Sequence, residues 1–134
     1  MNNLANINLL IGRIIIGLYF LVPGAIAKIF NYSFIYDYMA EHEVPYIHIA
    51  LVLTIIIQLF CAISIIIGWH SKLSAFILAL LTLLISYYMH DFWNMAASIQ
   101  QEHETQNFVK NLGIFAGLLI LSAANPGKYS FKSY

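Results

Sequence analysis

Residues 49–69 read IALVLTIIIQLFCAISIIIGW, a run between His48 and His70 without a charged side chain. As a helix it reaches roughly 31 Å, about the thickness of the hydrocarbon core of a bilayer. A soluble helix needs a broad polar face, and this run offers little beyond Thr54, Gln58 and Ser64. It is a membrane span. Three further charge-free runs flank it: 14–27 between Arg13 and Lys28, 73–89 between Lys72 and His90, and 111–127 between Lys110 and Lys128. These reach roughly 21, 25 and 25 Å. The last two cross with their flanking basic groups snorkelling to the boundaries. The first is too short alone, so Arg13 or Lys28 must sit inside the apolar slab, facing protein or trapped water.

Composition agrees. Of 134 residues, 61% are hydrophobic and 9% charged, against about 45–50% and about 25% in soluble domains. Mean hydropathy is +0.79. A soluble chain this short could not bury so much apolar surface, and disorder is excluded for the same reason. Six basic residues balance six acidic ones with no basic run, so nucleic acid is not an expected partner. The single Cys61 rules out an internal disulfide, a CxxC pair or a Cys-rich zinc site.

The expected fold is all-α: an integral membrane four-helix bundle and a single domain over 1–134, with spans at about 9–30, 47–68, 72–91 and 107–125. A signal-peptide reading of the first segment has Ala25-Ile26-Ala27 as a cleavage site, but Arg13 is late for a positive n-region, and the segment is kept as a span. With four crossings, both termini share a side with the loop near 69–72. That side holds Arg13, Lys72, Lys128 and Lys132, for +4. The other holds Asp37, Glu41, Glu43, Asp91, Glu102 and Glu104 against Lys28 and Lys110, for −4. The termini are therefore predicted to be cytoplasmic in a bacterial inner membrane, and the acidic side to face outward.

The two outer connections are the long ones. Ser33 is the expected N-cap of a short interfacial helix with Phe34, Ile35, Tyr38 and Met39 on its apolar arc. Residues 94–107 are polar, helix-prone and expected to run into the fourth span. Pro45 fixes the start of the second span, and Pro23 predicts a kink or local polar contact in the first. Glu41-His42-Glu43 and Glu102-His103-Glu104 read as solvated loop, because three consecutive residues cannot converge on one metal ion.

Helices in lipid associate through small residues and interhelical hydrogen bonds. Such residues line one face of each later span: Thr54, Gln58, Cys61, Ser64 and Gly68; Ala75, Ala79, Thr82, Ser86 and His90; and the Gly113/Gly117 pair. Gln58, near mid-span, is expected to bond Thr82 or Ser86. Arg13 and Lys28 lie about 60° apart on a regular helix and share a face. If it looks inward, Arg13 needs acceptors at the cytoplasmic end, and Lys28 meets Asp37, Glu41 or Asp91. His90 and Asp91, with Trp93, stand where the third helix leaves the membrane, placed to relay protons to a ligand. His48 and His90 share a side, but nothing fixes their separation and haem is not expected. No Ser-His-Asp set, P-loop or dinucleotide fingerprint is present, so no catalytic residue, metal site or stand-alone enzyme is assigned.

Four pieces of sequence carry a family likeness. They are Arg13-x3-Gly17-Leu18-x2-Leu21-x2-Gly24-x3-Lys28; Val44-Pro45; His90-Asp91-Phe92-Trp93; and Asn107-Phe108-x-Lys110-Asn111-Leu112-x4-Gly117 with Asn125-Pro126-Gly127. In this order and spacing, over about residues 9–131, the chain resembles the DoxX family of small bacterial four-helix membrane proteins. The resemblance implies an accessory or quinone-linked subunit of a membrane redox system, since the family is named for a subunit of a thiosulfate:quinone oxidoreductase. Related four-helix proteins instead serve as scaffolds, assembly factors or cargo receptors. Gln58 stands where many members carry Glu, which weakens any role for an embedded carboxylate as proton carrier.

The expected ligand pocket lies between the helices on the outer side, lined by Lys28, His90, Trp93, Asn107, Lys110 and Asn111, with Arg13 and Gln58 as further intramembrane polar groups. Quinone or lipid is the expected occupant. The bilayer, a membrane or periplasmic redox enzyme and a second copy of the chain are the expected partners.

Overall fold

Pro23 has no N–H to give the Tyr19 carbonyl, and the first span answers by widening its turns. In the computed structural model, which describes residues 2–131, helix α1 (Asn3–Tyr19) passes into a π-helical stretch, Phe20–Ile26, and returns to α geometry in α2 (Ala27–Phe30). The expected kink is thus a π-helical insertion. Lys132, counted above with the inner positive charges, lies outside the described residues.

The interfacial helix α3 (Tyr32–Glu41) begins before Ser33, so the predicted cap is corrected to Asn31. The Asn31 amide donates to the Ala27 carbonyl at 2.9 Å, closing α2 while its backbone opens α3. Of the expected apolar arc, Met39 is buried and Phe34 is exposed. Then follow α4 (Ile47–Ile67), α5 (Ser71–Met89), a single 3₁₀ turn (Phe92–Asn94) and α6 (Ile99–Ala123), which Ser98 caps by accepting from Gln101 N–H at 3.1 Å. The polar connection does run into the fourth span.

Among the described residues, four segments are long and apolar enough to cross a membrane: Asn3–Phe30, Ile47–Ile67, Ser71–Asn94 and Ile99–Ala123. They pack in chain order, the first against α4, α4 against α5, and α5 most extensively against α6. The small-residue faces explain two of these seams. Gly17 lets α1 approach Ile66 and the Ala62 carbonyl so closely that a Cβ there would collide with them. Ser74 donates to Ser64 at 2.9 Å across α4 and α5, around a core of Phe20, Ala62, Ile65, Leu78, Ala79 and Leu118. Ile15, Phe60 and Ile120 stay exposed on the outside, where lipid rather than water meets them.

The fourth stripe is corrected. Gly113 and Gly117 have open space where a side chain would go, and α6 turns Glu104, Asn111, Leu118 and Leu121 inward instead. Those four recur every seven, seven and three residues and so share a helix face, which the glycines do not.

Both termini meet the α4–α5 turn at one end of the bundle. Asn6 accepts from the Lys128 N–H at 2.9 Å, and Phe131 donates its N–H to the Ile67 carbonyl at 2.9 Å. Arg13, fully buried, donates through its two terminal nitrogens to the carbonyls of Pro126 and Tyr129. The acceptors that Arg13 needs are thus the backbone of the chain's own C-terminal segment. Gly68 closes α4 at φ 78°, and its bare α-carbon faces Arg13 and Ser130, so a side chain there would displace both.

Candidate functional site

The widened turns of the first span place Phe20, Pro23 and Gly24 along one wall of a cavity of about 180 Å³ in the half of the bundle away from the termini. The facing walls bring Gln58 from α4, Thr82, Ile85 and His90 from α5 and its C-terminal end, and Lys110 and Asn111 from α6. Four of the six residues expected around a pocket, Lys28, His90, Lys110 and Asn111, line this chamber. Trp93 and Asn107 do not. Trp93 lies among Tyr87, Phe92 and Phe108 in an aromatic cluster, with ring centroids 5.3 to 5.9 Å apart. Asn107 stands one turn from Lys110, whose ammonium it meets at 3.5 Å, the limit of a hydrogen bond.

Among the described residues Lys28 meets no acid, contrary to expectation. Its ammonium donates to Gln58 Oε1 at 3.1 Å and to the Gly24 carbonyl at 3.2 Å. Gln58 therefore pairs with Lys28 and not with Thr82 or Ser86. The hydroxyls of those two bond the Leu78 and Thr82 carbonyls of their own helix. Ser86 also accepts from the Asn111 amide at 3.0 Å, which holds α6 against α5 at the chamber wall. Gly24 is the reason Gln58 reaches so far: an added Cβ would lie 3.2 Å from its Oε1. Tyr19, Pro23 and Lys110 line the chamber yet are exposed, so it opens sideways, between the first span and α6, toward lipid.

The acids that Lys28 lacks are held elsewhere. Glu104 accepts from the Tyr38 hydroxyl at 3.0 Å and pairs with His90 Nδ1 at 2.6 Å. Asp91 pairs with His42 Nδ1 at 2.9 Å and accepts from the Asn94 amide at 3.1 Å. These contacts tie α3 to the ends of α5 and α6, and they border an open acidic basin above the chamber, lined in part by Tyr38, Glu41, Glu43 and Asp91. Glu104 lines the basin and His90 lines the chamber, so their pair is the partition between the two. His42 and Glu104 come from the two Glu-His-Glu triplets, read above as solvated loop. Their recurrence between spans was the available signal for this partition. His48 is engaged at the α3–α4 contact, where Tyr32 OH meets its Nδ1 at 3.0 Å and the Tyr36 ring lies 4.5 Å away.

Partial burial, then the bonded Glu104 carboxylate, pushes the Tyr38 phenol up to about 12 from the usual 10.0. A raised value means that the neutral phenol stabilises the folded state fully below pH 10 and loses that contribution as pH rises toward 12. In Tyr38→Phe, the phenolate absorbance that disappears from an alkaline titration is expected to be the component rising near pH 12. Loss of the component near pH 10 instead would mean that the Tyr38–Glu104 contact is not formed.

Residues 8–91 match the family model described as DoxX. The chain is 30% identical over 130 residues to the inner membrane protein YqjF of Escherichia coli (strain K12), covering 97% of this chain and 93% of that protein. It is 28% identical over 122 residues to the inner membrane protein YphA of the same organism, covering 91% and 86%. No solved structure matches the chain.

Proposed function

The chain belongs to the DoxX family, and from that premise we propose an inner-membrane accessory protein, linked to quinone or respiratory redox chemistry, whose chamber takes the head group of a small membrane-soluble ligand, quinone or lipid. One observation carries the reading. The Lys28 ammonium lies half-buried within a membrane span, and its partners are a neutral amide and a backbone carbonyl. Lys110, on the same chamber, has only Asn107 at hydrogen-bond range among the described residues. A cation kept at membrane depth without a counter-ion is costly, and such residues serve a pathway or a ligand. A head group bearing carbonyl or carboxylate oxygens supplies what both ammonium groups lack, while His90 exchanges a proton with it and Asn111 adds an amide. The positive charge at the end holding both termini supports a cytoplasmic position for that end and a chamber toward the outer leaflet.

Native mass spectrometry with quinone and lipid identification tests this. The purified protein is expected to carry such a molecule. Lys28→Ala and His90→Ala are each expected to weaken binding of decyl-benzoquinone or decanoate by about tenfold or more, or about 1.4 kcal/mol. Equal binding by parent and both variants would remove the chamber from the account.

The exposed Phe30, Phe34 and Tyr46 at the outer end favour a second reading, a non-catalytic scaffold or assembly factor that grips a membrane or periplasmic redox enzyme or a second copy of the chain. Crosslinking that yields one stoichiometric partner, whose activity survives the chamber variants, would favour it.

A further inference from the structure

On the far side of Ile85 from the chamber lies an apolar groove of about 230 Å³ between α4 and α5, roofed by α3 and the turn that follows it. Leu81 and Ile85 form its floor, Met39 and Pro45 its roof, and Leu84 and Tyr88 its lip. Leu81 and Met39 are buried, and Leu84 is exposed to the lipid side. Ile85 is the one residue that lines both this groove and the polar chamber. One aliphatic side chain is thus a wall both of a space rich in hydrogen-bond donors and of a space with almost none.

We propose that the groove is the tail site of the chamber's ligand: an amphiphile whose oxygen-bearing head lies between Lys28 and Lys110 and whose single apolar chain passes Ile85 to lie under α3. The inference rests on the chamber being a ligand site, and it adds the class of the ligand and the residue that selects it. The chamber holds a head group but little more, and this groove, which shares the wall residue Ile85 with it, offers the tail a protein-lined apolar space on the side away from the chamber's opening to lipid. Its lining suits a chain of variable shape, since Met39 and Met89 are flexible, polarizable side chains that adapt to an occupant. The polar hydrogen-bonding groups of the chamber are absent from it apart from Thr54 and the Tyr88 hydroxyl. The tie of α3 to α5 and α6 through Glu104 and Asp91 keeps the roof in place.

The test measures binding to the full-length protein in detergent by native mass spectrometry for two probe series, alkyl-benzoquinones and fatty acids, each with tails from methyl to decyl. In the parent, affinity for at least one series is expected to rise by about tenfold or more from methyl to decyl, a small part of what full burial of the added methylenes could give. Leu84→Trp, at the groove's lip and outside the chamber, is expected to cut that gain to about threefold or less while the methyl probe binds as before. Leu84→Phe provides a milder block should the larger ring disturb folding, and Leu81→Ala, which deepens the groove floor, is expected to favour the longest tails. The responding series names the head: benzoquinone or carboxylate. Unchanged tail-length dependence in both Leu84 variants would overturn the tail site and leave the chamber standing. Binding of methyl and decyl probes that ignores Lys28→Ala, or no binding at all, would overturn chamber and groove together.

Discussion

Arg13→Met is expected to release the C-terminal segment and to lower stability by about 3–5 kcal/mol, the loss of two charge-assisted hydrogen bonds from a fully buried donor. Methionine keeps most of the side-chain volume, so the loss reports the bonds and not a cavity. Among the described residues the Arg13 Nε has no acceptor, so the effect is assigned to the two terminal nitrogens. Arg13→Lys is expected to recover less than half, because one ammonium cannot reproduce the planar fork that spans the Pro126 and Tyr129 carbonyls. Thermal unfolding in detergent reads the loss, and limited proteolysis at Lys128 reads the released segment. An Arg13→Met protein with the parent's melting temperature and a protected Lys128 would mean that the guanidinium does not hold the tail. The C-terminal segment thus closes this end of the bundle, a task that apolar packing alone could not perform on a polar backbone.

The second large effect is a coupling. Gln58→Leu leaves the Lys28 ammonium with one carbonyl in apolar surroundings and is expected to destabilise by about 2–3 kcal/mol. Lys28→Met leaves the Gln58 amide without its partner and is expected to cost about 1–2 kcal/mol. The double variant is expected to return to within about 1 kcal/mol of the parent, because two apolar side chains replace a polar pair with no orphan left behind. Denaturant unfolding of the four proteins closes the cycle. Additive losses would show that Lys28 and Gln58 do not interact. A stable double variant that no longer binds the probes would separate function from folding: the pair is then kept for its ligand and not for the bundle.

The spans were legible because each is a long apolar run closed by charged or imidazole groups, and bilayer thickness turns length directly into topology. The sharing of one end by both termini followed from an even number of crossings and is seen in the contacts of Asn6, Arg13 and Phe131. That four residues of the chamber share a depth was also legible, since depth depends only on distance along a helix. The partners were not. The expected meeting of Lys28 with an acid assumed regular helix from Arg13 onward, and the π-helical insertion around Pro23 breaks that phase. Gln58 is 30 residues from Lys28, and nothing local links them. The pairing of His42 with Asp91 and of His90 with Glu104 joins residues 49 and 14 apart on different elements. Gly113 and Gly117 spelled a packing motif, yet the bulkier Leu118 and Leu121 claimed the inner face of α6.

The sequence by itself determined that this chain crosses a bilayer four times and which groups stand at which depth, because hydrophobic length and charge act on each segment separately. Only the tertiary structure decided which of those groups face one another. Hydrogen-bond partners are selected by the angular phase and approach of helices that are distant in the chain, and Pro23, Gly17 and Gly24 set both through contacts no single segment contains.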